Sequence, residues 1–212
     1  MLRKNKWKIL ISSVITVLPI LYGFIVWNRL PERVATHWGA DGNPDGYSGR
    51  LFAVIGLPLI ILGAHWLCLI MTSIDPKNKE QNRKVFSLVF WLCPAISVVC
   101  SAAVYITALG SEFNIGGLFI ALMGVMFIAI GNYFPKCKPN YTIGIKIPWT
   151  LESEENWYAT HRFAGKLSVI GGIVLLPLAL LPIKFLPVIM LPVLVIAFAP
   201  MIYSYRYYKN HK

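Results

Sequence analysis

Leu51-Phe-Ala-Val-Ile-Gly56-Leu-Pro-Leu-Ile-Ile-Leu-Gly63-Ala-His65-Trp-Leu-Cys68-Leu-Ile-Met-Thr-Ser73 runs for 23 residues without one Asp, Glu, Lys or Arg. A hydrocarbon core about 30 Å thick needs roughly 20 apolar residues of helix to cross it, so this stretch reads as a membrane span. Residues 9–27, 86–109, 114–134, 167–183 and 185–205 share its character. Of the 212 residues, 57% are hydrophobic and 14% charged, against about 25% charged in soluble domains. That argues against a soluble enzyme. The expected fold is all-α: a polytopic membrane helical bundle of six transmembrane helices, a single integral domain over residues 1–212.

The last two spans are separated only by Lys184 and punctuated by Pro177, Pro182, Pro187, Pro192 and Pro200. Such prolines are tolerated where neighbouring helices or waters satisfy the freed carbonyls; a re-entrant hairpin is the alternative there. The first span follows a basic leader containing Arg3, Lys4, Lys6 and Lys8, as a signal peptide would. Its apolar run exceeds the usual 7–15 residues and no small-x-small cleavage site follows, so it reads as a retained helix. With the N-terminus inside, 16 of the 20 Lys and Arg fall on the cytoplasmic side, and the alternation holds at every crossing. The positive-inside rule then places both termini in the cytoplasm. The net charge of +11 records orientation, and no direct nucleic-acid binding is expected.

Gly110, Gly117, Gly124 and Gly131 recur every seven residues, and Gly56 and Gly63 repeat the device in the second span. A small-residue stripe lets helix backbones approach closely, either inside one bundle or between copies in a homo-oligomer. His65 is the one ionisable candidate near mid-membrane, where such residues mark ion or proton pathways; packed and hydrogen-bonded beside Trp66 is the plainer reading. Cys68, Cys93, Cys100 and Cys137 call for no structural disulfide. The four histidines lack zinc-ligand spacing, and no hydrolase, zinc-protease or phosphate-loop motif occurs. Neither metal, cofactor nor catalytic residue is expected.

Two loops carry information. The external loop, 28–50, packs Asp41-Gly42, Asn43-Pro44 and Asp45-Gly46 into dense turn chemistry. Without a helical pattern it is long for a passive connection. His37 and Trp38, with Asp45, either plug this loop onto the bundle or recognise something outside the cell. The cytoplasmic segment, 135–166, has Pro148 barring helix and Thr150 as an N-cap, with Glu152, Glu154 and Glu155 in the first turns. A helix is expected from about Leu151 toward the fifth span. On it Trp157 and His161 share a face, lying on lipid headgroups or meeting a partner.

These loops also resemble a known family. Gly131-Asn-Tyr…Asn140-Tyr…Ile143-Gly-Ile…Pro148-Trp-Thr-Leu…Trp157…Thr160-His-Arg…Ala164-Gly-Lys166 is similar to the hallmark of the SdpI family of bacterial membrane proteins. The run Leu30-Pro…His37-Trp…Gly42-x-Pro-Asp45 resembles a domain of unknown function that often precedes it. There are departures. Lys146-Ile147-Pro148-Trp149-Thr150 stands where the family commonly has Arg-Thr-Pro-Trp-Thr, and lysine keeps the charge but loses the bidentate fork. Ala35 replaces a frequent proline and Arg50 a usual lysine.

The resemblance implies a non-enzymatic immunity protein of the bacterial cell membrane. It would protect against a secreted antimicrobial peptide toxin and signal by holding a cytosolic transcriptional repressor at the membrane. His37, Trp38 and Asp45 would meet the toxin. Asn140, Lys146, Trp149, Thr150, Trp157, His161 and Arg162 would form the cytoplasmic docking surface. A sensor without immunity is one alternative. A small-solute permease using His65, Asn132 and the broken helices of the last two spans is another.

Overall fold

The computed structural model describes residues 2–39, 41–81, 83–181 and 186–211. Six helices are long and apolar enough to cross a membrane. They are α1 (Lys6–Ile25), α2 (Leu57–Ile74), α3 (Arg83–Ala108), α4 (Ile115–Tyr133), α6 (Glu154–Leu178) and α7 (Leu186–Asn210), with a short α5 (Pro148–Glu152) ahead of α6. A π-helical stretch, Phe52–Gly56, leads into α2. The expected polytopic helical bundle is present. Lys184, which was to separate the last two spans, lies with Pro182 outside the described residues, as does Lys212.

Helices α1, α2 and α3 pack into one three-helix group, and α4, α6 and α7 into another, joined chiefly through α3 and α4. The first group is sewn together by polar atoms. Ser97 Oγ donates to the Thr16 carbonyl at 2.7 Å, Thr16 Oγ1 to the Ser12 carbonyl at 2.8 Å, and Ser12 Oγ lies 2.9 Å from His65 Nε2. Apolar side chains gain little by leaving lipid for a helix interface, so such hydrogen bonds and close packing hold membrane helices together. His65 is fully buried in this seam.

The second group depends on absent side chains. A Cβ on Gly172 would lie 2.5 Å from the Gly124 carbonyl, and one on Gly165 would lie 2.7 Å from the Gly131 carbonyl. A Cβ on Gly117 would strike the Ala179 carbonyl. The seven-residue stripe of α4 thus meets a matching seven-residue stripe of α6, Gly165, Gly172 and Ala179, running the other way. Of the two readings of the stripe, packing within the chain is the one these contacts occupy. Gly110 is not part of it: with φ +79° it ends α3, where Ser111 N–H returns to the Ile106 carbonyl at 3.1 Å, a left-handed helix stop.

The loop between α1 and α2 is a β-hairpin. Strands β1 (Arg33–Trp38) and β2 (Pro44–Gly49) pair antiparallel, Val34 opposite Ser48 and His37 opposite Gly46, with irregularities on either side of His37. Asp41 accepts from the Asn43 backbone N–H at 3.0 Å and from its side-chain amide at 2.9 Å, closing the turn. These hydrogen bonds, the side-chain amide first, hold the exposed Asp41 carboxyl below its ordinary pKa. A lone two-stranded hairpin is marginal in water. This one is fastened by buried Val34 within a cluster of Val26, Leu30, Val54, Val104 and Tyr105. Arg50 secures its base, donating to the Trp27 and Leu30 carbonyls at 2.9 and 3.2 Å and lying over the Trp27 ring at 4.8 Å.

Helix α6 departs from expectation at its start. Ile147, not Thr150, is the N-cap of α5, and Pro148 occupies the first helical position, which its missing N–H and fixed φ suit. Ser153 then caps α6, its Oγ accepting from Asn156 N–H at 3.2 Å, with Glu154 and Glu155 in the first turn. The helix begun there and the fifth span are one continuous helix.

Candidate functional site

At the end opposite the hairpin, the segment 137–147 folds back across the bundle without regular structure, and buried polar side chains take the place of a ladder. Asn140 is its organiser. Its amide donates to the Lys138 and Ile143 carbonyls, both at 2.8 Å, while Oδ1 accepts from Thr142 N–H at 2.9 Å and Ile143 N–H at 2.6 Å. One side chain thereby satisfies four backbone groups that burial would otherwise orphan.

The α2–α3 connection clamps this segment from the other side. Asp75 accepts from Tyr141 N–H and Thr142 Oγ1, both at 2.9 Å, and caps Lys77 N–H at 3.0 Å. Asn78 Nδ2 donates to Thr142 Oγ1 at 2.7 Å, and Gln81 exchanges two 3.0 Å hydrogen bonds with the Lys138 backbone. Asp75, Asn78 and Gln81 are buried. Sequence reading missed all three; Asp75-Pro76 carries a cap signal, but nothing local in a sequence announces a partner more than fifty residues away.

Trp157 and His161 form the floor. Their rings stack at 4.1 Å and 21°, and both are fully buried. Trp157 Nε1–H donates to the Cys137 carbonyl at 2.8 Å. Ile145 N–H points at His161 Nε2 from 3.0 Å, and His161 Nδ1 lies 2.8 Å from the Trp157 carbonyl. A backbone N–H only donates, so Nε2 accepts and the ring proton sits on Nδ1. Both ring nitrogens are therefore committed, and no lone pair remains for general-base work. Gly144, at φ +116°, lies against this stack, where a Cβ would strike His161 Nε2. Cys137 is buried beside it, and desolvation pushes its thiol up to about 11, against hydrogen bonds from Asn140 and Gln81 that act the other way.

The docking residues expected from sequence are therefore divided by depth. Asn140, Thr150, Trp157 and His161 are buried and internally satisfied; they shape the surface from beneath. Thr150 Oγ1 accepts from Ile147 N–H at 3.1 Å and donates to the Ile145 carbonyl at 2.8 Å. Lys146 and Arg162 are exposed and Trp149 half-buried against Tyr205, ring centroids 5.1 Å apart. Below them Asn156 Oδ1 accepts from Thr160 and Ser204 hydroxyls, both at 2.9 Å, locking α7 to α6.

At the hairpin end, His37 Nδ1 and Asp45 Oδ1 lie 2.5 Å apart, with side-chain exposures of 73% and 53%. Trp38 turns inward, its ring 5.9 Å from Phe119, and its buried indole N–H has no partner among the described residues. Beneath, an apolar groove of about 390 Å³ runs between α1 and α3, lined in part by Leu18, Tyr22, Val98, Ser101, Tyr105 and Leu109. His65 lines neither this groove nor the larger one at the other end. Among the described residues no group of three or more His, Cys, Asp or Glu could hold a metal ion.

Both regions are similar to known families. Residues 136–204, which contain the segment 137–147, all of α6 and most of α7, match the SdpI/YfhL protein family. Residues 14–62, which contain the hairpin, match a domain of unknown function, DUF1648. Over 203 residues, 95% of this chain and 96% of the other, the sequence is 26% identical to a protein of Bacillus subtilis (strain 168) named immunity protein SdpI. No solved structure matches. With its six apolar helices, the chain is a multi-pass cell-membrane protein.

Proposed function

We propose, from an SdpI/YfhL segment set behind a DUF1648 segment, that this chain is a membrane immunity protein acting against a secreted, membrane-active peptide toxin. The observation that carries the reading is likeness to an immunity protein along almost the whole chain, 95% of it, hairpin and polar junction included. The hairpin faces outward and the end bearing Lys77, Lys136, Lys146 and Arg162 faces the cytoplasm, as the positive-inside rule asks. His37 and Asp45 offer an exposed, hydrogen-bonded pair on a pinned strand scaffold, and an apolar groove lies between α1 and α3. A peptide that partitions into membranes has an apolar face for the groove and polar groups for the rim. Binding it there keeps it from assembling in the bilayer.

A second role is favoured by the other end. At that end Lys146 and Arg162 are exposed and Trp149 is half-buried, and arginine and tryptophan are among the types enriched in protein interfaces. A cytosolic transcriptional repressor retained there would couple toxin sensing to gene expression. No catalytic step is assigned.

Expression in a toxin-sensitive host, with survival measured against the cognate peptide, tests immunity. Killing unchanged despite verified membrane insertion removes it. Co-purification of a repressor with the full chain, lost in Lys146→Glu/Arg162→Glu while survival is retained, separates the second role from the first.

A further inference from the structure

A second groove, about 600 Å³, opens at the basic end between the two three-helix groups. It falls within the ~300–1,000 Å³ of small-molecule sites. Its walls are α2, α3 and α4, and its roof is the segment that carries Asn140 and Gly144. Met71, Val89, Leu92, Ile130 and Tyr133 make it apolar, and Lys146 is the one charged residue along it among the described residues. Along α3 it reaches from Val85 to Cys93, about 12 Å at 1.5 Å per residue. That is most of one leaflet of a ~30 Å core. Leu67 and Met71, on its outer side, are 60% and 47% exposed, so the groove is open sideways to lipid.

The chemistry of the mouth differs from that of the walls. Lys146 Nζ donates to the Tyr141 and Thr142 carbonyls at 3.1 and 3.2 Å, which engages two of the three ammonium donors. Lys77 lies over the Tyr141 ring at 4.7 Å, adding a second positive charge at the same rim. Asp75, the carboxylate nearest in the chain, is buried, with both oxygens occupied by Lys77 N–H, Tyr141 N–H and the Thr142 hydroxyl. An apolar channel that spans most of one leaflet, with cations at its mouth, complements an acyl chain that carries an anionic head.

We infer that this groove is a binding site for one anionic phospholipid, its acyl chain between α2, α3 and α4 and its phosphate at Lys146. The lipid fills the seam between the two helix groups and braces the roof that presents the basic surface. It does not depend on the immunity reading, since the ligand comes from the bilayer itself.

Native mass spectrometry of the full chain tests it, with phosphatidylglycerol and phosphatidylcholine of identical acyl chains added to delipidated protein. One phosphatidylglycerol is retained, and phosphatidylcholine about fivefold less, the discrimination expected of one lysine near a membrane surface. Lys146→Gln narrows the difference between the two lipids and Lys146→Arg preserves it. Leu92→Trp, which fills the channel, removes retention, while Leu194→Trp on exposed α7 does not. Equal retention of both lipids by the wild type overturns the site, as does unchanged retention in Lys146→Gln. Displacement by inorganic phosphate alone also overturns it, because an anion site needs no acyl chain. Should Leu92→Trp fail to fold, a photoreactive phosphatidylglycerol decides: labels on Met71 and Tyr133 support the groove, and labels spread evenly onto Leu191 and Phe198 refute it.

Discussion

His161 stands between two backbone groups that belong to different segments, accepting from Ile145 N–H at 3.0 Å while its other nitrogen reaches the Trp157 carbonyl at 2.8 Å. The residue is a staple between α6 and the roof above it. This relationship turns the most motif-like residues of the chain from candidate contacts into supports.

Removing the staple should therefore cost stability first. His161→Ala leaves Ile145 N–H unpaired, at about 1–3 kcal/mol, and Trp157→Ala empties a fully buried site, at about 3–5 kcal/mol. Thermal unfolding in detergent should show both losses, with Trp157→Ala the larger. If either variant melted like the wild type yet lost repressor retention, the residue would be a direct contact after all.

Cys137 reports on the same junction. Burial raises its thiol from an ordinary 9.0 to about 11, and the thiolate is the reactive form. At pH 7.5 the folded protein should resist maleimide at this position, with labelling rising only as pH approaches 11. Linkage has the matching sign: a folded pKa above the unfolded one gives stability that is present below pH 9 and lost between 9 and 11. Gly144→Ala, forced to hold a Cβ at φ +116°, should open the roof and make Cys137 react at neutral pH. Mass spectrometry of the labelled Cys137 peptide separates this site from Cys68, which is exposed. Rapid labelling of the wild type at pH 7.5 would contradict the buried placement.

How much of this was legible beforehand depends on the kind of signal. A run such as 51–73 announces a span by itself, because crossing lipid imposes length and apolarity on every residue in it. The α4 glycines were visible as a stripe, but their partner was not. Gly165, Gly172 and Ala179 carry the same spacing, yet only the packed structure shows that the two stripes face each other. The hairpin was hidden behind its turn residues, since Val34 and Thr36 are too few to declare a strand. Least legible was the polar junction: Asn140, Trp157 and His161 drew notice as motif residues, and motif character does not distinguish a contact from its support. Asp75, Asn78 and Gln81 drew none.

The glycine seam makes a comparative prediction. Gly172→Ala places a methyl 2.5 Å from the Gly124 carbonyl, whereas Gly63→Ala meets nothing within 4 Å. Overpacking of a tight contact costs about 1–3 kcal/mol, and an open surface site changes stability by no more than about 0.5 kcal/mol. Detergent melts of the two variants should separate accordingly. Equal melting temperatures would mean that α4 and α6 part easily and that the seam contributes little.

The hairpin separates contact from scaffold. His37 and Asp45 are exposed, and a polar contact between exposed side chains contributes only about 0–1 kcal/mol. His37→Ala and Asp45→Asn should therefore leave insertion and melting unchanged while reducing survival against the peptide. Arg50 is different in kind. It holds the Trp27 and Leu30 carbonyls and the Trp27 face together, so Arg50→Ala should loosen the strands and lower protection through misplacement. Limited proteolysis between Gly39 and Asn43 distinguishes the two routes, with faster cleavage expected in Arg50→Ala alone. Arg50→Lys keeps the charge and should restore most of the protease resistance. If His37→Ala and Asp45→Asn both preserved full survival, the hairpin face would not be where the peptide is met, and the groove between α1 and α3 would be left to hold it alone.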